Sequence, residues 1–271
     1  MKTIWRGAIS FGLVSIPVRV YTATEEKTLR FNQLHEPDHG RIRYKRWCVN
    51  EDKEVPYDEI VRGYEYEKDR YVIITDEDLE SVPVESSRAI DIQQFVDASE
   101  IDPIYYKKTY YLGPEEAGVK AYHLLRRALR EGEKVGIAKV SFRDKEHMAS
   151  IRLMDDVLVM DTMFWPDEIR EAAIEGLDKD VSVRDQEVQM AQALIDNLTD
   201  DWEPERYRDD YREALMQIVE KKVAGEEIEV IEAPEPAKVT DLMDALKQSV
   251  EATKKEAAGK GKSGGRKRAA S

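Results

Sequence analysis

The stretch Ile4–Glu26 reads IWRGAISFGLVSIPVRVYTATEE. Ile9, Phe11 and Leu13 alternate with smaller or polar residues, which is the period-two pattern of a strand buried on one face. The phase then flips, because Ile16, Val18 and Val20 occupy even positions. A slip of one residue sends every side chain to the wrong face, so a bend or bulge is expected near Gly12–Ser15. Pro17 limits any partner strand on its side. Arg19 and Tyr21 fall on the face opposite the valines. The stretch reads as the opening of a curved sheet or barrel with a cationic outer side.

A chain of 271 residues is long enough for one large domain or two smaller ones with a real core. Hydrophobic residues make up 41% and charged ones 36%, and no apolar run approaches the length of a membrane span. The N-terminus, MKTIWRGAIS, lacks the apolar segment of a secretory signal. The single cysteine, Cys48, cannot form an internal disulfide, which fits a reducing cytoplasm. The net charge of −14 argues at first against nucleic acid, but its distribution reverses that. Residues 252–271 carry seven Lys/Arg and one Glu, which leaves −20 on residues 1–251. This is an acidic body with a basic arm.

After the opening strands, residues 27–56 are highly charged and weakly periodic. Pro37-Asp38-His39-Gly40 reads as a turn. If the segment after it is extended, Arg41, Arg43 and Lys45 share one face and Ile42, Tyr44 and Arg46 the other. This is expected to be a β-ribbon projecting from a barrel. Tyr64–Thr75 resumes strand character, and Thr75-Asp76-Glu77-Asp78 is a helix start with a capping side chain. Ala89–Val96 and Tyr105–Leu112 are further strands, with Gly113-Pro114 breaking the second. A helix is predicted from about Glu115 to Glu131, stopping at Gly132. Val135–Phe142, Met148–Met154 and Val157–Phe164 read as three antiparallel strands. From about Arg184 two amphipathic helices follow, the second ending near Gly225. Residues 233–237 are a stiff Pro-rich linker, Thr240–Val250 is a short amphipathic segment, and the Gly/Lys/Ser/Arg-rich end cannot bury enough apolar surface to fold alone.

Three blocks carry a resemblance: the opening stretch, then EVPYDEIVRGYEYEKDRYVIITDEDLE, then EIDPIYYKKTYYLGPE. In this order they resemble the bacterial Ku proteins, the DNA-end binders of non-homologous end joining, over about Ile4 to Val250. The resemblance implies a mixed β/α fold: an antiparallel β-barrel of about seven strands, the Ku core with its SPOC-like architecture. It also implies a projecting ribbon that forms the bridge of a ring around duplex DNA, with C-terminal helices beyond. The expected layout is a barrel core over 1–180 with the bridge inserted at about 27–60, and a helical arm over 181–225. A linker with a short amphipathic helix over 226–250 and a disordered basic tail over 251–271 complete it.

Positive side chains spaced two apart on a strand can track a phosphate backbone, although a solvated loop has the same composition. With the resemblance, the expected DNA contacts are Arg19, Arg30, Arg41, Arg43, Lys45 and Arg46, and in the tail Lys254, Lys255, Lys260, Lys262, Arg266, Lys267 and Arg268. A protein that holds any broken end cannot read bases, so it must use charge for affinity and topology for end specificity. A two-fold homodimer matches the approximate dyad of DNA and is large enough to surround it. The Tyr-rich helices between Arg184 and Lys222 either exchange between subunits or cap their own barrel. By the same resemblance, Leu242, Met243, Leu246 and Val250 form an apolar face that either docks the ATP-dependent end-joining ligase or packs back on the dimer.

His35, His39 and Cys48 do not complete a zinc set, because Val49-Asn50-Glu51-Asp52 follows Cys48 where some family members carry a second cysteine. Cys48 reads as a plain half-buried thiol. No Walker loop, GxSxG elbow or HExxH is present, and 56 carboxylates put some acidic pairs close by chance. The expectation is a protein without catalysis, cofactor or metal, in the cytoplasm with the nucleoid. The alternatives are an architectural nucleic-acid binder or chaperone without end specificity, and a hydrolase using the barrel's carboxylates.

Overall fold

The computed structural model describes residues 1–82, 88–142, 145–177, 179, 181–226, 243 and 245–253. The chain divides into two compact units, residues 1–172 and 173–271. In chain order the first unit contains β1 (Thr3–Phe11), β2 (Val14–Thr22), β3 (Trp47–Cys48), β4 (Lys53–Glu54), β5 (Arg62–Glu67) and β6 (Arg70–Ile74). Next come α1 (Asp76–Ser81), β7 (Ala89–Asp97), β8 (Tyr106–Pro114), α2 (Val119–Gly132), β9 (Lys134–Ser141), β10 (Glu146–Met154) and β11 (Val157–Met163).

Strands β1 and β2 form a hairpin in which Phe11 faces Val14, so Gly12-Leu13 is a two-residue connection. Gly12 has φ +57°, and positive φ at the first loop position belongs to the primed turns that match strand twist. The phase flip therefore marks two strands joined by a tight turn, where a bend or bulge within one was expected. Leu13, expected on the buried face, is fully exposed at the tip. Ile9 pairs with Ile16, and both are fully buried with Val18 and Val20.

Seven strands close a barrel in the order β1-β2-β8-β11-β10-β9-β7. The seam is the pairing of β1 with β7, and it is parallel where an antiparallel barrel was expected. A parallel pair cannot be joined by a tight turn; here β2, which reverses the chain, and the long segment after it lie between β1 and β7. Strand β8 runs through Gly113 and Pro114, which pair with Arg19 and Val18, so the predicted break lies two residues later.

The barrel is filled by Ile9, Val18, Ile90, Leu112, Val140, Ile151 and Met160, among others. Trp5 and Tyr110 each meet Phe142 edge to face, at 6.2 and 5.3 Å between centroids. A Cβ at Gly7 would lie 2.1 Å from the Arg88 carbonyl and from the Trp5 ring, so only glycine lets the indole fold over β1. Helix α2 packs on β2, β9 and β10, covering the end where β8 leaves the barrel and β9 enters it. It buries Tyr122, Leu125 and Leu129. The Tyr122 hydroxyl donates to the Leu112 carbonyl at 2.7 Å and accepts from the Leu158 N–H at 2.9 Å. Burial pushes its phenol above the ordinary value. The helix starts later than predicted, after a 3-10 turn over Glu116–Gly118, and the left-handed residue that ends it is Glu133 rather than Gly132.

Strand β11 is buried on both faces. Leu158 and Met160 point inward, while Val159, Asp161 and Met163 are equally covered on the outer side. Asp161 accepts from Arg152 Nε at 2.7 Å, from Ser150 Oγ at 3.3 Å, and from Thr109 Oγ1. Every polar lone pair there has work, which is what a buried carboxylate requires.

In the second unit, α3 (Asp185–Leu198) and α4 (Asp210–Ala224) follow the predicted periodicity. Gly225, at φ +75°, ends α4 by donating its N–H to the Lys221 and Lys222 carbonyls. Residues 245–253 are helical, and the predicted linker at 233–237 lies outside the described residues.

Tyr122→Phe strips a partner from two buried backbone groups, and the expected loss is about 1–3 kcal/mol. Gly7→Ala forces the indole out of the barrel at a comparable cost of about 1–3 kcal/mol. Urea unfolding checks both, and an unchanged midpoint contradicts the packing described.

Candidate nucleic-acid interface

The segment between β2 and β7 holds two small sheets, β3-β4 and β5-β6. Ahead of them, residues 33–35 pair with 40–42: the His35 N–H meets the Gly40 carbonyl at 2.8 Å, and the Ile42 N–H meets that of Gln33 at 3.1 Å. The turn between is the one read from Pro37-Asp38-His39-Gly40, with His39 at φ +53°. Asp38 Oδ1 accepts from the Gly40 N–H at 2.9 Å and lies 3.0 Å from His35 Nδ1. The Gly40 N–H, then His35, hold the Asp38 carboxyl below its usual range.

Arg41 bridges backbone to Leu34, after which residues 43–45 lie outside any strand, and the Arg46 carbonyl accepts from the Val55 N–H at 2.9 Å. The predicted alternation of Arg41, Arg43 and Lys45 on one strand face is therefore replaced by two kinds of cation. Lys45 is spent on Glu54 at 2.6 Å, and Arg46 stacks over the Tyr57 ring at 4.8 Å. Arg41 and Arg43 are exposed and carry no ion pair among the described residues. Trp47 Nε1 donates to Asp52 at 2.9 Å, and Tyr44 donates to Gln33.

On the barrel, Arg19 projects from the outer face of β2 and pairs with Glu115 at 3.1 Å. That hydrogen bond raises the guanidinium pKa above its ordinary value. Directly opposite on β1 stands Arg6, exposed, so Glu115 offsets a like-charge cross-strand pair. Arg6 was not among the sequence candidates; the register of the hairpin reveals it. Arg30 lines an open cleft of about 570 Å³ with Lys107 and Lys108 of β8, against Glu25 and Glu26. Lys107 lies 3.6 Å from Glu168 and 4.2 Å from the Phe164 ring. These two lysines were also missed, although the doublet in YYKKTYYL was a signal.

Strands β5 and β6 form a hairpin turned at Lys68-Asp69, with Asp69 at φ +61°, where a single strand was predicted. Tyr64 and Val72 stand opposite each other on one face, while Tyr71 and Ile73 lie on the other; all four are exposed. Arg62 pairs with Asp76 at 2.8 Å, and Arg70 with Glu67 at 2.7 Å. Thr75 caps α1 reciprocally with Asp78, as the sequence indicated.

The tail cations Lys254, Lys255, Lys260, Lys262, Arg266, Lys267 and Arg268 lie outside the described residues, as does Leu242. Met243 and Leu246 are half-buried and Val250 is buried. Cys48 is a half-buried free thiol, and no group of three or more His, Cys, Asp or Glu among the described residues is placed to hold a metal. No helix among them is long and apolar enough to cross a membrane.

A seven-stranded closed barrel with a cation-bearing ribbon inserted between two of its strands is the class of protein these features define. Residues 10–190 match the Ku70/Ku80 beta-barrel domain family. The non-homologous end joining protein Ku of Desulfitobacterium hafniense is 50% identical over 254 residues, covering 93% of this chain and 88% of that one. The protein of the same name from Bacillus subtilis is 45% identical over 94% of this chain and 83% of its own. That of Archaeoglobus fulgidus is 44% identical over 94% of this chain and all of its own. The chain belongs to the Ku family.

The ribbon turn carries a pH signature. Because the Asp38 carboxyl is held below its ordinary value, its stabilising contribution is complete above the unfolded carboxylate pKa of about 3.9 and disappears as pH falls through the lowered folded value. The Gly40 amide proton, followed by NMR, is expected to move in that acidic window.

Proposed function

We propose that this chain binds the ends of double-stranded DNA without sequence preference, as a homodimeric ring acting in non-homologous end joining. The observation that carries this is family membership across both the barrel and the inserted ribbon, with relatives named for end joining. The ribbon supports it chemically. Arg41 and Arg43 are cations left unspent inside an otherwise acidic chain, and phosphate neutralisation is the use that charge has on DNA. Lys45 beside Glu54, Arg46 over the Tyr57 ring and Arg19 beside Glu115 are further cations held in place, and Arg30 lines a cleft with Lys107 and Lys108.

Homodimerisation is supported by the β5-β6 hairpin. A two-stranded hairpin is marginal in water on its own, and this one leaves tyrosines and aliphatics exposed on both faces. A second copy supplies the cover and, by two-fold symmetry, the second half of a ring. Such a ring threads only from a terminus, so end preference arises without base contacts. The protein acts in the cytoplasm with the nucleoid, without catalysis of its own. It recruits the ATP-dependent end-joining ligase through the segment around Leu242, Met243, Leu246 and Val250, and the cations of 254–268 add sequence-independent affinity.

A gel-shift comparison of open-ended and hairpin-capped versions of one duplex tests the reading. Open ends are expected to bind and capped ends to fail; equal binding overturns the ring in favour of an architectural binder without end specificity. Arg41→Ala/Arg43→Ala is expected to lower the salt slope by about 1.8, at roughly 0.9 per lost phosphate contact. Removal of residues 238–271 is expected to abolish ligase stimulation while open ends are still bound.

A further inference from the structure

Trp202 and Tyr207 stack on the surface of the second unit, with centroids 5.2 Å apart and planes inclined by 31°. They remain 75% and 72% exposed, in a unit whose helices α3 and α4 bury no residue. The loop joining α3 to α4 presents them through a 3-10 turn over Pro204–Arg206. Arg206 braces that loop by pairing with Asp200 and Glu203, each at 2.6 Å. Residues 200–210 hold six carboxylates and two arginines. The exposed carboxylates of Asp201, Glu205 and Asp210 have no ion pair among the described residues.

Two open aromatic faces rimmed by unspent carboxylates recognise lysine and arginine side chains, through the ring quadrupole and simple Coulomb attraction. This chain contains a segment of the complementary kind: residues 254–268 carry seven Lys/Arg and one Glu. We propose that this basic tail rests on the Trp202–Tyr207 stack of its own chain when no DNA is bound, and transfers to phosphate when DNA arrives. The stack is then a holding site that masks the tail's charge. Reach is ample: the 19 positions 226–244 allow at most about 60–70 Å and the helical residues 245–253 add about 14 Å, against roughly 22 Å for the length of α4. Exposed ion pairs are individually weak and screened by salt, so the tail is held loosely enough for DNA to compete it away.

This inference rests on the DNA-binding reading for the consequence of release, but the docking itself is measured without DNA. Acrylamide quenching of Trp202, taken as the difference between the full chain and W202F, is expected to increase when the chain is ended at residue 253. Unchanged quenching overturns the proposal. Protection that grows with protein concentration places a second copy's tail there and overturns the same-chain assignment. On linear duplex, Asp201→Asn/Glu205→Gln/Asp210→Asn is expected to tighten binding of the full chain about fivefold and to leave the chain ending at 253 unchanged. An equal gain in both chains means that the rim merely repels DNA, and no gain in the full chain means that it holds no tail; either overturns the proposal. Failure of the end-binding reading itself would show as loss of the open-versus-capped difference, which none of these variants is expected to alter.

Discussion

Parallel strands cannot be joined by a tight turn, and β1 and β7 are paired in parallel from Ala8–Ser10 to Ala89–Asp91. That seam removes the last free edges of the barrel, and the chain makes a long excursion between β2 and β7 before it returns to form it. The detour carries the ribbon turn, both small sheets and the unspent arginines. Around the seam, Gly7 admits the Trp5 ring, and Ala8 donates its N–H to the Arg88 carbonyl at 2.9 Å, so the insertion is anchored at its return by backbone as well as by packing.

Charge follows a similar economy. Many cations of the first unit are committed locally: Arg19 to Glu115, Arg130 to Asp156, Lys134 to Asp97 and Arg152 to Asp161. The exposed pairs among them contribute little to stability, whereas the Asp161 carboxylate is buried; all of them decide which cations remain available. The ribbon holds two arginines without an ion pair among the described residues, Arg41 and Arg43, within three positions.

Much of this was legible in the sequence. Strands rich in Ile and Val, the capping side chain of Thr75 and the left-handed stop at Gly225 are local features whose causes lie within a few residues. What escaped was pairwise or distant. The turn at Gly12-Leu13 looked like a bulge, because a phase change in one apolar run is the same pattern whether the chain bends or reverses. The parallel seam depends on strands some eighty residues apart, which periodicity does not connect. Arg6 became visible only through its register with Arg19, and Lys107 and Lys108 only through the cleft they share with Arg30. Lys45 and Arg46 were identified as cations, but their commitments to Glu54 and Tyr57 are tertiary facts.

The β5-β6 hairpin has a further consequence for the chain during synthesis. Before it is covered it offers two open strand edges and a tyrosine-rich surface, the conditions that favour indiscriminate strand addition and fibre growth. Its tyrosines and aliphatics, however, are interleaved with Arg62, Glu65, Glu67, Lys68 and Arg70. Stacking identical copies in register would set each of these charges about 4.8 Å from its duplicate, rung after rung. The same interleaving guards a sticky surface against amyloid-like assembly while leaving it open to a partner that approaches in another register.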